Sequence, residues 1–211
     1  MANAVEIWKA EKHGFDVWPD VLNHAANRTP MNRIDDAGLE RMKWHGFYYR
    51  KREERGRYMN RIRITANELN SEQAREVAHI AYEYGHGIVD VTTRANLQVQ
   101  GLEIENVPRT VERLQKVGLT SRQTGHDNIR NVFCHPFSGV DPDEILDTRE
   151  LCRQIDAVYL GSREYSDLPR KFNIALDGTE RHGPHYWTQD VSFLATRDAD
   201  MSSILRANER T

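Results

Sequence analysis

Cysteine is almost missing from this chain: Cys134 and Cys152 are the two in 211 residues. Two thiols cannot build a disulfide framework, and they cannot supply the sulfur ligands of a four-cysteine metal or iron–sulfur site. Long apolar runs are missing as well. Nothing in the sequence approaches the roughly 20 apolar residues that span a bilayer, and the opening MANAVEIWKAEKHG has no apolar stretch of the kind a signal peptide carries. The expected location is the cytoplasm, with no membrane partner. An excess of one charge sign is absent too. Lys and Arg number 29 against 32 Asp and Glu, a formal net charge of -3. Both signs are mixed along most of the chain, which argues against a surface dedicated to nucleic acid or anionic lipid and makes any cationic site a local one.

What is present is a globular composition, 38% hydrophobic and 29% charged, enough for one ordinary domain or two small ones with real cores. Residues 1–50 are polar and helix-compatible, broken by NRTP and RIDDAG, and read as a mostly helical N-terminal arm in which no function is expected. The stretch RKREERGRYMNRIR, residues 50–63, then carries seven basic and two acidic residues. A solvated charged face is the plain reading, but YMNRIRI alternates. Arg61 and Arg63 share one face of a strand with Met59, and Ile62 and Ile64 take the other.

From Ser71 to Tyr84, Ala74, Val77, Ala78, Ala81 and Tyr84 recur at helical spacing, Asn70 and Gln73 can form a capping box, and Gly85 can end the helix. IVDVTT and LQVQGL read as strands joined by a short RAN turn, and VPRTVERLQKVG as a second helix with an early proline and a terminal glycine. The order is β-α-β-β-α. One more strand, placed at residues 119–124, completes the split βαβ of a ferredoxin-like α+β fold: a four-stranded antiparallel sheet with helices on one face. On the strand LQVQGL, Leu97 and Val99 share one side and Gln98 and Gln100 the other, with Arg94 leading in. RNA-recognition modules also expose such a sheet face, but GRYMNRIR lacks the paired aromatics on which bases stack, so no nucleic-acid partner is expected.

Five blocks, GRYMNRIRI, DVTTRANLQVQG, VGLTSRQTGHDNIRNVF, GVDPDEILDTR and LPRKFN, in this order and spacing, resemble the N-terminal half of the siroheme-dependent ferredoxin-nitrite reductase and sulfite reductase family over residues 42–175. The resemblance implies a 51–125 ferredoxin-like half-domain and, over 126–211, the first part of a siroheme and iron–sulfur domain. It also implies the reduction of nitrite to ammonia, with sulfite reduction or a non-catalytic ferredoxin-like module as alternatives. By the resemblance, Arg61, Arg130, Lys171 and Asn173 surround nitrite or sulfite, while Arg94, with Thr92, Thr93, Asn96, Gln98 and Gln100, lies along the siroheme and binds its carboxylates. Plainer roles exist: a salt bridge from Arg130 to Asp127, and solvent for the glutamines. Sulfite-reducing relatives carry lysine at the position of Asn173, so the amide favours nitrite, and Asn173→Lys is expected to favour sulfite.

The implied partners are ferredoxin or a similar electron donor and a C-terminal half, in the same or a separate chain, whose cysteines hold a 4Fe-4S cluster. The chain reads as a fragment, a split subunit or a degenerate paralogue of such an enzyme. His182 and His185 read as loop residues, since an H-x-x-H pair without a third ligand makes a poor metal site, and Cys134 reads as a buried small hydrophobe.

Overall fold

The computed structural model describes residues 4–49, 56–180 and 183–197. Chain order gives helices α1 (Ala4–Glu11), α2 (Trp18–Ala26) and α3 (Asp36–Met42), strands β1 (Phe47–Tyr49) and β2 (Tyr58–Ile62), helix α4 (Ser71–Tyr84), strands β3 (Val89–Val91) and β4 (Leu97–Leu102), helix α5 (Val107–Lys116), strand β5 (Ile129–Phe133), helix α6 (Arg149–Tyr159), and strands β6 (Phe172–Asp177) and β7 (Val191–Leu194). Two sheets result. The first is antiparallel in the order β1-β2-β4-β3, and the second is parallel in the order β5-β6-β7.

Helix α4 begins where the sequence says it should. The Asn70 side chain accepts from the Gln73 backbone N–H, and the Gln73 side chain accepts from the Asn70 N–H, which satisfies two donors that a helix start otherwise leaves to water. Its buried stripe is Val77, Ile80 and Ala81 with Tyr84 at the margin, whereas Ala74 and Ala78 face outward. These side chains meet Ile62, Val99, Leu102, Val107 and Leu114 in the larger core. Each such aliphatic group contributes roughly 1.5–3 kcal/mol by leaving water. A smaller core, with Ile129, Val132, Cys134, Cys152, Ile174 and Leu176, sits between the parallel sheet and α6. Cys134 is packed there as the small hydrophobe expected.

The fourth strand of the antiparallel sheet is not at residues 119–124. That stretch pairs in strand fashion at one bridge, Thr120 to Arg63, and then turns, with Gln123 at φ 57. The strand is β1, which pairs with β2 from Phe47↔Asn60 to Tyr49↔Tyr58. Residues 1–50 therefore do more than an arm would. Val17, Val21, Leu39, Met42 and Phe47 all enter the larger core, and the chain reaches β1 through Gly46, whose φ of 83 lies in the left-handed region that favours glycine. The sheet carries Arg61 directly across from Gln98. Among the described residues no helix is long and apolar enough to cross a membrane.

Candidate functional site

Two strands from different sheets bring Arg61 (β2) and Arg130 (β5) onto one hydroxyl. Arg61 Nη1 donates to the Tyr48 hydroxyl oxygen at 2.8 Å and Arg130 Nη1 at 3.1 Å. The hydroxyl in turn donates to the Thr124 carbonyl at 2.9 Å. That carbonyl also accepts from both guanidiniums, and the His126 carbonyl accepts from Arg130 Nη2 at 2.6 Å. The Tyr48 ring lies under the Arg61 guanidinium, 4.5 Å from its centroid. Gln98, with its amide oxygen turned inward, accepts from Arg61 Nε and Nη2 at 3.2 Å each. Burial, with the nearby charges of Arg130 and Arg94, holds the Arg61 guanidinium below its ordinary value against the pull of Tyr48.

Neutral oxygens hold these cations. Arg57, Arg63, Arg113, Arg149, Arg153 and Arg163 each sit on a carboxylate, but among the described residues no carboxylate pairs with Arg61, Arg94 or Arg130. The salt bridge from Arg130 to Asp127 does not form, because Asp127 is taken by Lys9 and His126. Like charges gathered without counter-ions repel one another, and an added anion relieves that repulsion.

A rigid platform keeps the pair in place. Buried Arg63 is ion-paired with Asp156 on α6, and its guanidinium donates to the carbonyls of Ile129 and Arg130, pinning β5 under Arg130. His126 stacks on Trp44 with ring centroids 4.2 Å apart, and its two ring nitrogens lie 3.2 Å from Glu40 and 3.3 Å from Asp127. Glu40 also accepts from Lys43 and the Tyr49 hydroxyl. Although burial alone would raise its carboxyl, the bonds from His126, Lys43 and Tyr49 bring it down to about 2. Gly125 makes the close packing possible: a Cβ there would lie 2.3 Å from the Lys43 carbonyl oxygen and 2.7 Å from the Tyr48 hydroxyl.

The other expected residues divide. Arg94 sits on a tight turn in which Thr92 Oγ1 accepts from the Asn96 N–H and Asn96 Nδ2 donates to the Arg94 carbonyl, so Thr92 and Asn96 shape the turn and the Arg94 side chain reaches out to Gln189 Oε1 at 3.0 Å. Thr93 is exposed and, with Thr92, Ala95, Cys134 and Pro184, lines a cavity of about 370 Å³. Gln100 is half-buried and donates to Asp90. Asn173 is 5% exposed and gives both its backbone N–H and its side-chain Nδ2 to Asp190 Oδ2, each at 2.8 Å. Lys171 is exposed at the mouth of β6, and among the described residues nothing holds its ammonium. Gln189 and Asp190 are adjacent, which links Arg94 to Asn173, and the charges of Arg94 and Arg130 both act on Arg61.

Sequence reasoning missed Tyr48, His126 and Asp190, and it placed Arg63 beside Arg61 without foreseeing its ion pair to Asp156. Of the H-x-x-H pair, His182 lies outside the described residues and His185 caps a short turn. Among the described residues no group of three metal-ligating side chains comes together.

Comparison with known proteins bears on the family. Residues 49–117 match the model of the nitrite/sulfite reductase ferredoxin-like half domain, and residues 125–205 that of the nitrite and sulphite reductase 4Fe-4S domain. The ferredoxin–nitrite reductase of Leptolyngbya laminosa is 36% identical over 91% of this chain and 38% of its own length, and that of Synechococcus elongatus is 39% identical over 90% and 38%. The solved structure of the Mycobacterium tuberculosis NirA protein superposes with a TM-score of 0.83 at 28% identity, over 92% of this chain and 38% of that one. The chain thus spans well under half the length of these relatives, an extent consistent with an N-terminal half. Matched over residues 49–117 and 125–205 by two domain models of one family, the chain belongs to the nitrite and sulphite reductase family.

Proposed function

We propose that this chain provides the anion-binding side of a siroheme-dependent nitrite reductase, which reduces nitrite to ammonia with electrons from ferredoxin. One observation carries the reading: Arg61, Arg94 and Arg130 converge with no carboxylate among the described residues to neutralise them. Arg61 and Arg130 hold the oxoanion with charge-assisted hydrogen bonds and stabilise negative charge on a departing oxygen. Lys171, free to swing from the start of β6, is the proton donor. Asn173 offers a neutral amide where an ammonium would favour a more highly charged anion.

The site fits siroheme in its donor set. That macrocycle is fringed with carboxylates, and Arg94, which meets no carboxylate among the described residues, has the guanidinium to take one by charge-assisted bonds. Thr92 and Asn96 act indirectly, by fixing the turn that aims Arg94. When bound, siroheme supplies the iron on which the anion is reduced. The 4Fe-4S cluster does not fit this chain by itself: two buried cysteines, Cys134 and Cys152, fall short of four thiolates. In this reading the cluster's ligands come from a complementary portion of the enzyme.

The test is complementation. Co-expressed with the portion of the Leptolyngbya laminosa relative that it does not match, and supplied with both cofactors, the chain should form ammonium from nitrite. Arg130→Ala or Arg61→Ala should lower kcat/KM by about 100-fold, the scale for one lost charge-stabilising donor. A cofactor-loaded complex that reduces nitrite equally well with both arginines replaced contradicts the assignment, and a loaded complex without turnover favours a non-catalytic module.

A further inference from the structure

We infer that Asp190 sets the charge of the subsite at Asn173 and makes it selective for a singly charged oxoanion; the inference rests on the nitrite-reductase reading above. Asp190 ends the loop before β7. Val191 pairs in parallel register with Ile174, which puts Asp190 alongside Asn173, while the preceding Gln189 is fastened to Arg94. The segment carrying the carboxylate is thus tied to Arg94 through Gln189 and to Asn173 through Asp190 itself. It takes two N–H bonds from Asn173 on one oxygen, and among the described residues no cation pairs with it.

Two consequences follow from this geometry. The Nδ2 of Asn173 is committed to Asp190, so the amide is held in one orientation instead of turning to suit whatever anion enters. The subsite also carries the charge of Asp190, which repels a dianion more than a monoanion. Asp190 is exposed, so solvent and salt limit the effect to a modest factor. A lysine at position 173 would place its ammonium against this carboxylate, and the two would cancel. Asn173→Lys alone therefore cannot supply the net positive charge that the sequence comparison led us to expect of it. The residue at 173 and Asp190 act as a pair, with Asp190 a positioning residue that works through its neighbour.

The experiment is calorimetric titration of the 211-residue chain with nitrite and with sulfite, at low ionic strength and in mildly alkaline buffer where sulfite is the dianion. The readout is the ratio of the two Kd values. Asp190→Asn keeps an oxygen to accept both N–H bonds and removes only the charge, and it should shift the ratio toward sulfite by about three- to ten-fold. Asn173→Lys alone cancels the same charge and should shift it by about as much as Asp190→Asn, and the double variant, left with a net positive subsite, should shift it further, by about ten-fold or more. Asp190→Glu should keep the wild-type ratio. If Asp190→Asn does not fold, Asp190→Ser takes its place. An unchanged ratio in the neutral variant, or a shift in Asn173→Lys as large as in the double variant, overturns the inference while leaving the arginine site standing. A wild-type chain that binds neither anion overturns the site reading and this inference with it.

Discussion

Tyr48 is where two guanidiniums are made to tolerate each other. Its oxygen accepts from Arg61 and Arg130 while its hydrogen goes to Thr124. Tyr48→Phe keeps the ring under Arg61 and deletes only the oxygen, so it isolates that hydrogen-bonding role. Bonds to charged groups are each worth about 1.5–3 kcal/mol, but both arginines retain the Thr124 carbonyl. We expect a net loss of about 1–2 kcal/mol in urea unfolding, and no measurable loss would show that the phenol oxygen is incidental. The arginines themselves were legible in the sequence because they stand in dense local motifs. Tyr48 was not, since its partners are 13 and 82 residues away and nothing near it marks it out. Asp190 was hidden for the same reason: its bond to Asn173 depends on how β7 is laid beside β6.

Among the elements, those with local signals were readable and those fixed by distant pairing were not. Helix α4 announces itself through its capping box, and the β3–β4 pair through a short turn. Strand β1 is three residues long, too short for a period to show, and its place was wrongly given to residues 119–124. The segment carrying β1 also holds two groups that govern acid stability. Burial, and then the Arg122 charge, push His45 down to about 4 from 6.5. The unfolded chain therefore takes up a proton that the folded chain refuses, and stability falls as pH drops from 6.5 toward 4. Glu40, held at about 2 against 4.5, adds a second decline as pH falls from about 4.5 toward 2. Each contributes at most about 3 kcal/mol. Urea midpoints measured across this range should show His45→Gln flattening the upper part of the decline and Glu40→Gln the lower part. A decline unaltered by either change would assign acid sensitivity to other groups.

At the scale of the whole molecule, the site exists because two sheets meet. The antiparallel sheet brings Arg61 and Gln98, the parallel sheet brings Arg130 and Asn173, and the Arg63–Asp156 ion pair locks them together from below. The resemblance in the sequence named candidate residues, and the packing shows what holds each of them: carbonyl oxygens for Arg61 and Arg130, a glutamine for Arg94, a carboxylate for Asn173. The central claim is that the unneutralised arginines form a cradle for an anionic cofactor and its anionic substrate. It is tested most directly by an absorbance titration of siroheme into the chain together with the complementary portion of a relative. The account predicts a saturable coloured complex whose affinity falls by about ten-fold or more in Arg94→Ala and is lost when Arg61 and Arg130 are replaced as well. Uptake of siroheme by the triple variant as tight as by the wild-type chain would contradict it.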